Sequence, residues 1–362
     1  MPADVLIWSE WRIFSPGSPY MQNIAVPYDY IDSRSGVDEY INHPAKIKIA
    51  ISSGGWFGSF PNSDGKFIRD INKIAEHSKL VIITEVDIIH ESLMYDQIQG
   101  NVVLLLPGIV HKVSSEKQKF NGGWLARSSS NYKSLSNVLA TLTPYQPKPK
   151  MFDILLGQER SHRTIIYNLV NSNSLNNQVI MTYPSKGLDF IFESSAKTDI
   201  NHNVKGIDTT QAVDYNGLRI NVSEVIPLDI YNQTAYTIVA ETLASNGYSF
   251  FTEKIAKPII ARRLFVVFSG QHYLRYLREL GFKTFNGIID ESYDSIENDE
   301  QRFIQAVEQV KQLCAQNQTE ILEKIKEITE HNFNHLMNIE HWAYDPRTYI
   351  PKMVEQLLKE EI

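Results

Sequence analysis

Residues Tyr236 to Pro258 read YTIVAETLASNGYSFFTEKIAKP. The run from Tyr236 to Ala240 is short, apolar and rich in β-branched and aromatic residues, which predicts a buried strand. Glu241 ends it, a polar loop follows, and Thr252-Glu253-Lys254 opens a helix. Thr252 is a good N-cap because its hydroxyl accepts from a first-turn N–H. A helix start offers orphan N–H groups and the positive end of the dipole, which suit a phosphate. In that setting Glu253 is a candidate acceptor for ribose hydroxyls and Lys254 a point charge for a diphosphate.

The same rhythm extends in both directions. Downstream lie a strand, Leu264–Phe268, and a helix, His272–Leu280, closed by Gly281 as its C′ residue. Upstream lie a strand, Met151–Leu156, a turn, Gly157–Arg160, a helix, Arg163–Val170, and a strand, Val179–Tyr183. Alternating strands and helices predict a parallel, Rossmann-like α/β domain. The first half repeats the pattern: strands at Lys46–Ser52, Leu80–Thr84 and Val102–Leu106, with a helix at Phe67–His77. Thr141–Lys150 (TLTPYQPKPK) carries three prolines and reads as a linker, with an ordinary surface loop as the alternative. The expected domains are 1–145, 151–345 and a last helix within 346–362, preceded by helices at Gln301–Cys314 and Ile321–Met337.

Composition narrows the function. The chain has 362 residues, long enough for two cores. A formal net charge of −7 disfavours a large nucleic-acid interface. A lone cysteine, Cys314, permits no intrachain disulfide and suits a reducing compartment. The N-terminal MPADVLIWSEWRIF lacks the charged and apolar regions of a signal peptide, and no apolar run is long enough to span a bilayer. The expectation is a cytoplasmic protein of a bacterium or of a virus-infected cell.

Glu241 and the run Phe251-Thr252-Glu253-Lys254 resemble the donor-site motif of the α1,3-fucosyltransferases. There a strand ending Phe-x-x-Glu-Asn-Ser is followed by a short loop and Tyr-Val/Ile-Thr-Glu-Lys. The family's Asn falls on Thr242 here, which changes the hydrogen-bond pattern to the donor. The resemblance covers about twenty-five residues and a second patch, Arg163-Thr-Ile-Ile-Tyr167-Asn-Leu169, similar to the family's diphosphate-contacting arginine before a helix. It implies a glycosyltransferase of the two-domain GT-B type: two Rossmann-like domains facing a cleft, with a nucleoside-diphosphate sugar bound in the C-terminal one.

The donor-binding candidates are Arg160, Arg163, Glu241, Thr242, Glu253, Lys254 and Lys257. Each has a plain alternative. Arg160 and Arg163 also suit a basic helix start tied to Glu159. Lys257 also suits a surface position. Glu241 orients Lys254, contacts the donor, or is structural. No Asp-x-Asp occurs, and Glu85-Val86-Asp87 is only a loose relative, so a metal-independent, cationic diphosphate site with no cofactor beyond the donor is expected. An inverting transfer needs an acceptor-side base, for which Glu85 and Asp87 are the candidates, against a merely solvated loop. Trp56, in Gly54-Gly55-Trp56-Phe57-Gly58, either stacks on a glycan or base acceptor or packs. The acidic, aromatic run Asp290-Glu291-Ser292-Tyr293-Asp294 is read as a loop beneath the donor site, without a mechanism.

The expected activity is transfer of a sugar to an acceptor hydroxyl. One rival is a phage DNA-base glycosyltransferase, for which Arg262-Arg263 and Arg275 with Arg278 would supply basic clusters. The other is a non-catalytic nucleotide-binding or structural protein.

Overall fold

A strand covered on both faces has no polar side to offer, so its sequence is mostly apolar. β1 (Val5–Ser9), β3 (Ile47–Ser52) and β4 (Leu80–Thr84) are buried at every position and apolar apart from Lys48 and the strand-end Ser9, Ser52 and Thr84. The computed structural model describes residues 3–9, 14–32, 37–52, 66–84, 97–188, 212–244 and 246–361. With β2 (Tyr28–Asp32), β5 (Val102–Leu106), β6 (Gly108–Val110) and β7 (Gln118–Phe120) the N-terminal strands are complete among these residues. Six of them form one sheet in the order β2-β1-β3-β4-β5-β7, every pair parallel. Helices α1 (Val37–Asn42) and α2 (Lys66–Glu76) lie between its strands in sequence. The sequence reading missed β1 and β2, although Val5-Leu6-Ile7-Trp8 is an apolar run of the kind a buried parallel strand needs.

The remainder begins with α3 (Gly123–Ser134) and α4 (Ser136–Leu139). A second sheet follows, built from β8 (Lys150–Leu155), β9 (Val179–Thr182), β12 (Thr234–Ala240) and β14 (Phe265–Phe268). Its order is β9-β8-β12-β14, again wholly parallel, with Tyr236 beside Phe152 and Ile238 between Ile154 and Val266. Helix α5 (Ser161–Ser172) connects β8 to β9. β10 (Ala212–Tyr215) and β11 (Leu218–Asn221) form an antiparallel hairpin, followed by a turn at Val222–Glu224 and by α6 (Leu228–Tyr231). After β12 come β13 (Tyr248–Phe250), α7 (Glu253–Ile260), then β14, α8 (Tyr273–Glu279), α9 (Asp299–Ala315), α10 (Gln318–Met337) and α11 (Pro346–Glu361). The protein is therefore α/β with parallel sheets. No helix among the described residues is long and apolar enough to cross a membrane.

The chain divides into two compact units, residues 1–123 with 340–362, and residues 124–339. The division falls after Gly123 rather than in the Pro-rich segment 141–150, which lies inside the second unit. The last helix is not a separate element. Ile350, Val354 and Leu358 make one stripe of α11 and pack among Val5, Ile7, Ile47 and Ile49 in the core of the first unit. Burying such side chains contributes roughly 1.5–3 kcal/mol each.

Gly281 is the expected C′ residue, at φ +95°. Its N–H donates to the Arg278 carbonyl and the Phe282 N–H to the Leu277 carbonyl, the two bonds of a Schellman motif. The run 290–294 also acquires a mechanism. The Asp294 carboxylate accepts from the Leu274 and Arg275 N–H groups at the start of α8, and buried Glu291 accepts from Thr284, Phe285 N–H and Arg278. It is a helix cap and a staple for the β14–α8 layer.

Candidate functional site

In the second sheet the chain passes from β8 outward to β9, then returns to the other side of β8 as β12. Side connections therefore diverge between β8 and β12, and their carboxyl ends leave a crevice. The loop after β8 and the start of α5 lie at one side of it, and the end of β12 at the other.

Helix α5 starts two residues earlier than its apolar spacing predicts, at Ser161. Arg160 is thus the N-cap residue, extended in backbone, and makes no side-chain cap hydrogen bond. Its first turn has no acidic residue and carries His162 and Arg163 instead. A cation there opposes the dipole. Arg163 is 4% exposed, yet it makes no ion pair among the described residues. One guanidinium nitrogen, Nη1, donates to the Gln158 carbonyl at 2.8 Å, and the buried Nε has no partner. Burial, and then the neighbouring Arg160, lower its pKa against the attraction of Glu253 and Glu241. The side chain of Arg160 is half-buried and has no partner among the described residues.

His162 ties this helix to β12. Its Nε2 lies 2.9 Å from the Glu241 carbonyl, which can only accept, so Nε2 carries the proton. Burial lowers its pKa to about 4, and the charges of Arg163 and Arg160 push the same way. The imidazole is neutral at physiological pH.

Glu241 is fully buried, and four protein donors take its carboxylate. Oε1 accepts from Tyr273 Oη at 2.8 Å and from the Thr252 N–H at 3.3 Å. Oε2 accepts from Thr252 Oγ1 at 2.6 Å and from the Thr242 N–H at 3.0 Å. Burial raises its pKa, opposed first by Lys254. With no oxygen free and no exposure, Glu241 positions the site from behind; of its three sequence readings, the structural one matches this geometry. Thr252 Oγ1 donates to Glu241 and accepts from the Lys254 N–H at 3.3 Å, so one hydroxyl links the β12 end to the start of α7 and caps it.

Lys254 Nζ donates to Thr242 Oγ1 at 3.0 Å and pairs with Glu253, whose side chain is 6% exposed. Burial would push the Glu253 pKa up, but Lys254 and Lys257 outweigh it and hold the carboxyl below its usual range. Lys257 is not a surface residue. It is buried, donates to the Ser223 carbonyl at 2.9 Å, and burial lowers its pKa to about 8.

The structure thus brings Arg160, Arg163, Glu241, Thr242, Glu253, Lys254 and Lys257 together around one sheet end. Glu85, Asp87 and Trp56 lie outside the described residues. The sequence reading missed Glu224 and Arg127. Glu224 is fully buried and accepts from Arg127 Nε at 2.9 Å, Asn131 Nδ2 at 2.9 Å and the Asn221 N–H at 3.1 Å. Asn221 followed three residues later by Glu224 is a capping-box pattern that could have marked it.

The basic clusters are neutralised. Arg263 is buried against Asp153 at 2.8 Å, and Arg262 pairs with Glu330 at 2.9 Å and lies over the Phe333 ring. Arg275 pairs with Glu279 and Arg278 with Glu291. They do not make a free basic patch. No protein-family model matches the chain, and no curated protein matches it.

Proposed function

We propose that this protein is a glycosyltransferase that moves a sugar from a nucleoside-diphosphate donor to an acceptor hydroxyl. The observation that carries the reading is Arg163: a buried guanidinium with no carboxylate partner among the described residues, in the first turn of a helix without a side-chain cap, at the point where the connections diverge. Such a place lacks an anion. The resemblance of 251–254 to a fucosyltransferase donor motif makes that anion a diphosphate. Arg163, Arg160, Lys254 and the α5 N–H groups neutralise it as the bond between sugar C1 and the phosphate oxygen breaks and the electron pair leaves with the diphosphate. The acceptor oxygen forms the new bond to C1 and loses its proton to a carboxylate, Glu85 or Asp87, which gives inversion. Glu253 is the ribose acceptor of this reading. Two Rossmann-like units of GT-B type belong to the same proposal, supported by the two parallel sheets, as does a metal-independent site.

The pairing of Arg262, Arg263, Arg275 and Arg278 with carboxylates weakens the basic clusters that a DNA-base acceptor would use, which favours a glycan acceptor. A donor-hydrolysis panel tests it: GDP- and UDP-sugars, with and without EDTA, on the wild type and Lys254→Ala. Turnover of one donor that survives EDTA and is lost in Lys254→Ala is expected. Failure of every GDP- and UDP-nucleotide to bind refutes the donor site. Binding without turnover, with acceptors supplied, favours the non-catalytic nucleotide-binding reading.

A further inference from the structure

Trp124, Arg127 and Asn131 follow one another at helical spacing on α3 and share one face. That face meets Glu224, which has no exposed surface. Glu224 Oε1 lies 2.9 Å from Arg127 Nε and accepts from Asn131 Nδ2 at 2.9 Å. Its Oε2 accepts from the Asn221 N–H at 3.1 Å. The Arg127 guanidinium also lies over the Trp124 ring, 5.3 Å from its centroid. A buried carboxylate behind and an aromatic ring beneath hold the guanidinium in one place.

Arg127 is not used up by these contacts. A guanidinium presents several N–H donors in a rigid fork. The ion pair to Glu224 is made through Nε, and neither Nη group donates to an acceptor among the described residues. The side chain keeps 49% of its surface exposed, so the outer edge of the fork faces solvent. The place of this edge is set by the turn 222–224. Ser223, the residue before Glu224, takes Lys257 Nζ on its carbonyl at 2.9 Å. Lys257 lies one turn beyond Glu253 and Lys254 on α7. Two adjacent residues of the turn therefore join Arg127 to the helix that carries Lys254, the cation assigned to the diphosphate.

We propose that Arg127 is a second anion-binding residue beside the donor site, and that its anion is a carboxylate carried by a sugar. The inference rests on the donor-site reading above and narrows it to an acidic donor or acceptor. A carboxylate fits for two reasons. Its planar pair of oxygens matches the outer edge of the fork bidentately. Arg127 also faces one negative charge already, so a monoanion suits it better than the dianionic diphosphate, which has Arg160, Arg163 and Lys254.

Titration calorimetry on matched pairs tests the assignment. The donor arm compares UDP-glucuronate with UDP-glucose, and GDP-mannuronate with GDP-mannose. The acceptor arm compares trigalacturonate with maltotriose. All are run at about 0.15 M salt, which screens long-range attraction. The formal net charge of −7 already disfavours unspecific anion binding. The wild type is expected to bind the acidic member of at least one pair about tenfold or more tightly than its neutral partner. The arm that shows the preference says whether donor or acceptor carries the carboxylate. Arg127→Met should abolish the preference. Arg127→Lys keeps a cation for Glu224 but has no fork, and should lower the preference at least about threefold. A wild type that prefers the acidic member of no pair overturns the inference, whether or not the variants fold. So does a preference that both variants leave unchanged, because Arg127 then only neutralises Glu224. Failure of every UDP and GDP compound to bind refutes the donor-site reading instead, and the acceptor arm then decides this inference alone.

Discussion

Replacing Arg163 by Met should move stability and binding in opposite directions. In the free protein the guanidinium is 4% exposed, makes one hydrogen bond to a backbone carbonyl at 2.8 Å and leaves Nε unsatisfied. A hydrogen bond from a charged donor contributes about 1.5–3 kcal/mol, and this one is lost. Its acceptor, on exposed Gln158, is free to take water instead. Against that loss stands the cost of holding an unpaired cation out of water, several kcal/mol even after relaxation. Met keeps the apolar stem and fills space flexibly. Stability should thus stay constant or rise by about 1–3 kcal/mol, or roughly 2–4 °C in Tm per kcal/mol for a unit of this size. Binding should behave the other way. Two charge-assisted bonds to phosphate oxygens contribute about 3 kcal/mol or more, so GDP or UDP affinity should fall at least about 100-fold. Differential scanning calorimetry with and without nucleotide, paired with titration calorimetry, reads both quantities. Nucleotide near 100 times its Kd should stabilise the wild type by about 2.7 kcal/mol and the variant by almost nothing. A Tm drop of more than about 5 °C with unchanged nucleotide affinity would refute the reasoning, because Arg163 would then be a structural residue.

Three further outcomes follow from the fold. His162, with its pKa lowered from 6.5 to about 4, binds fewer protons folded than unfolded, so stability should fall by about 3 kcal/mol as pH drops across that interval. His162→Gln keeps a donor to the Glu241 carbonyl, and urea titrations at several pH values should show that part of the slope gone. Gly281→Ala places a Cβ 2.7 Å from His335 Nε2 at φ +95°, and should cost about 1–2 kcal/mol in backbone strain beyond the clash. Combining it with His335→Ala should relieve only the clash. Asp294→Ala removes the carboxylate that holds the Leu274 and Arg275 N–H groups, and should cost about 1–2 kcal/mol in chemical denaturation.

What the sequence determined by itself was local and periodic. The mainly apolar runs 80–84 and 102–106 coincide with β4 and β5, because a strand covered on both faces is mostly apolar along its length. The Thr252 cap and the Gly281 stop were equally legible, since each is a demand of one backbone position on one residue type. Long-range order was not. The hairpin 212–221 and α3 carry no strong period, and α11 gives no sign in its own sequence that it covers the first sheet. The tertiary structure alone decided which charges are free. Glu241, Arg263 and Lys257 look like available groups in a string of letters, but each is taken by a partner 32 to 110 residues away. Arg163 looks no different and, among the described residues, pairs with no carboxylate and leaves Nε without a partner. Charge pairing depends on distances in space, which the order of strands sets and sequence separation does not.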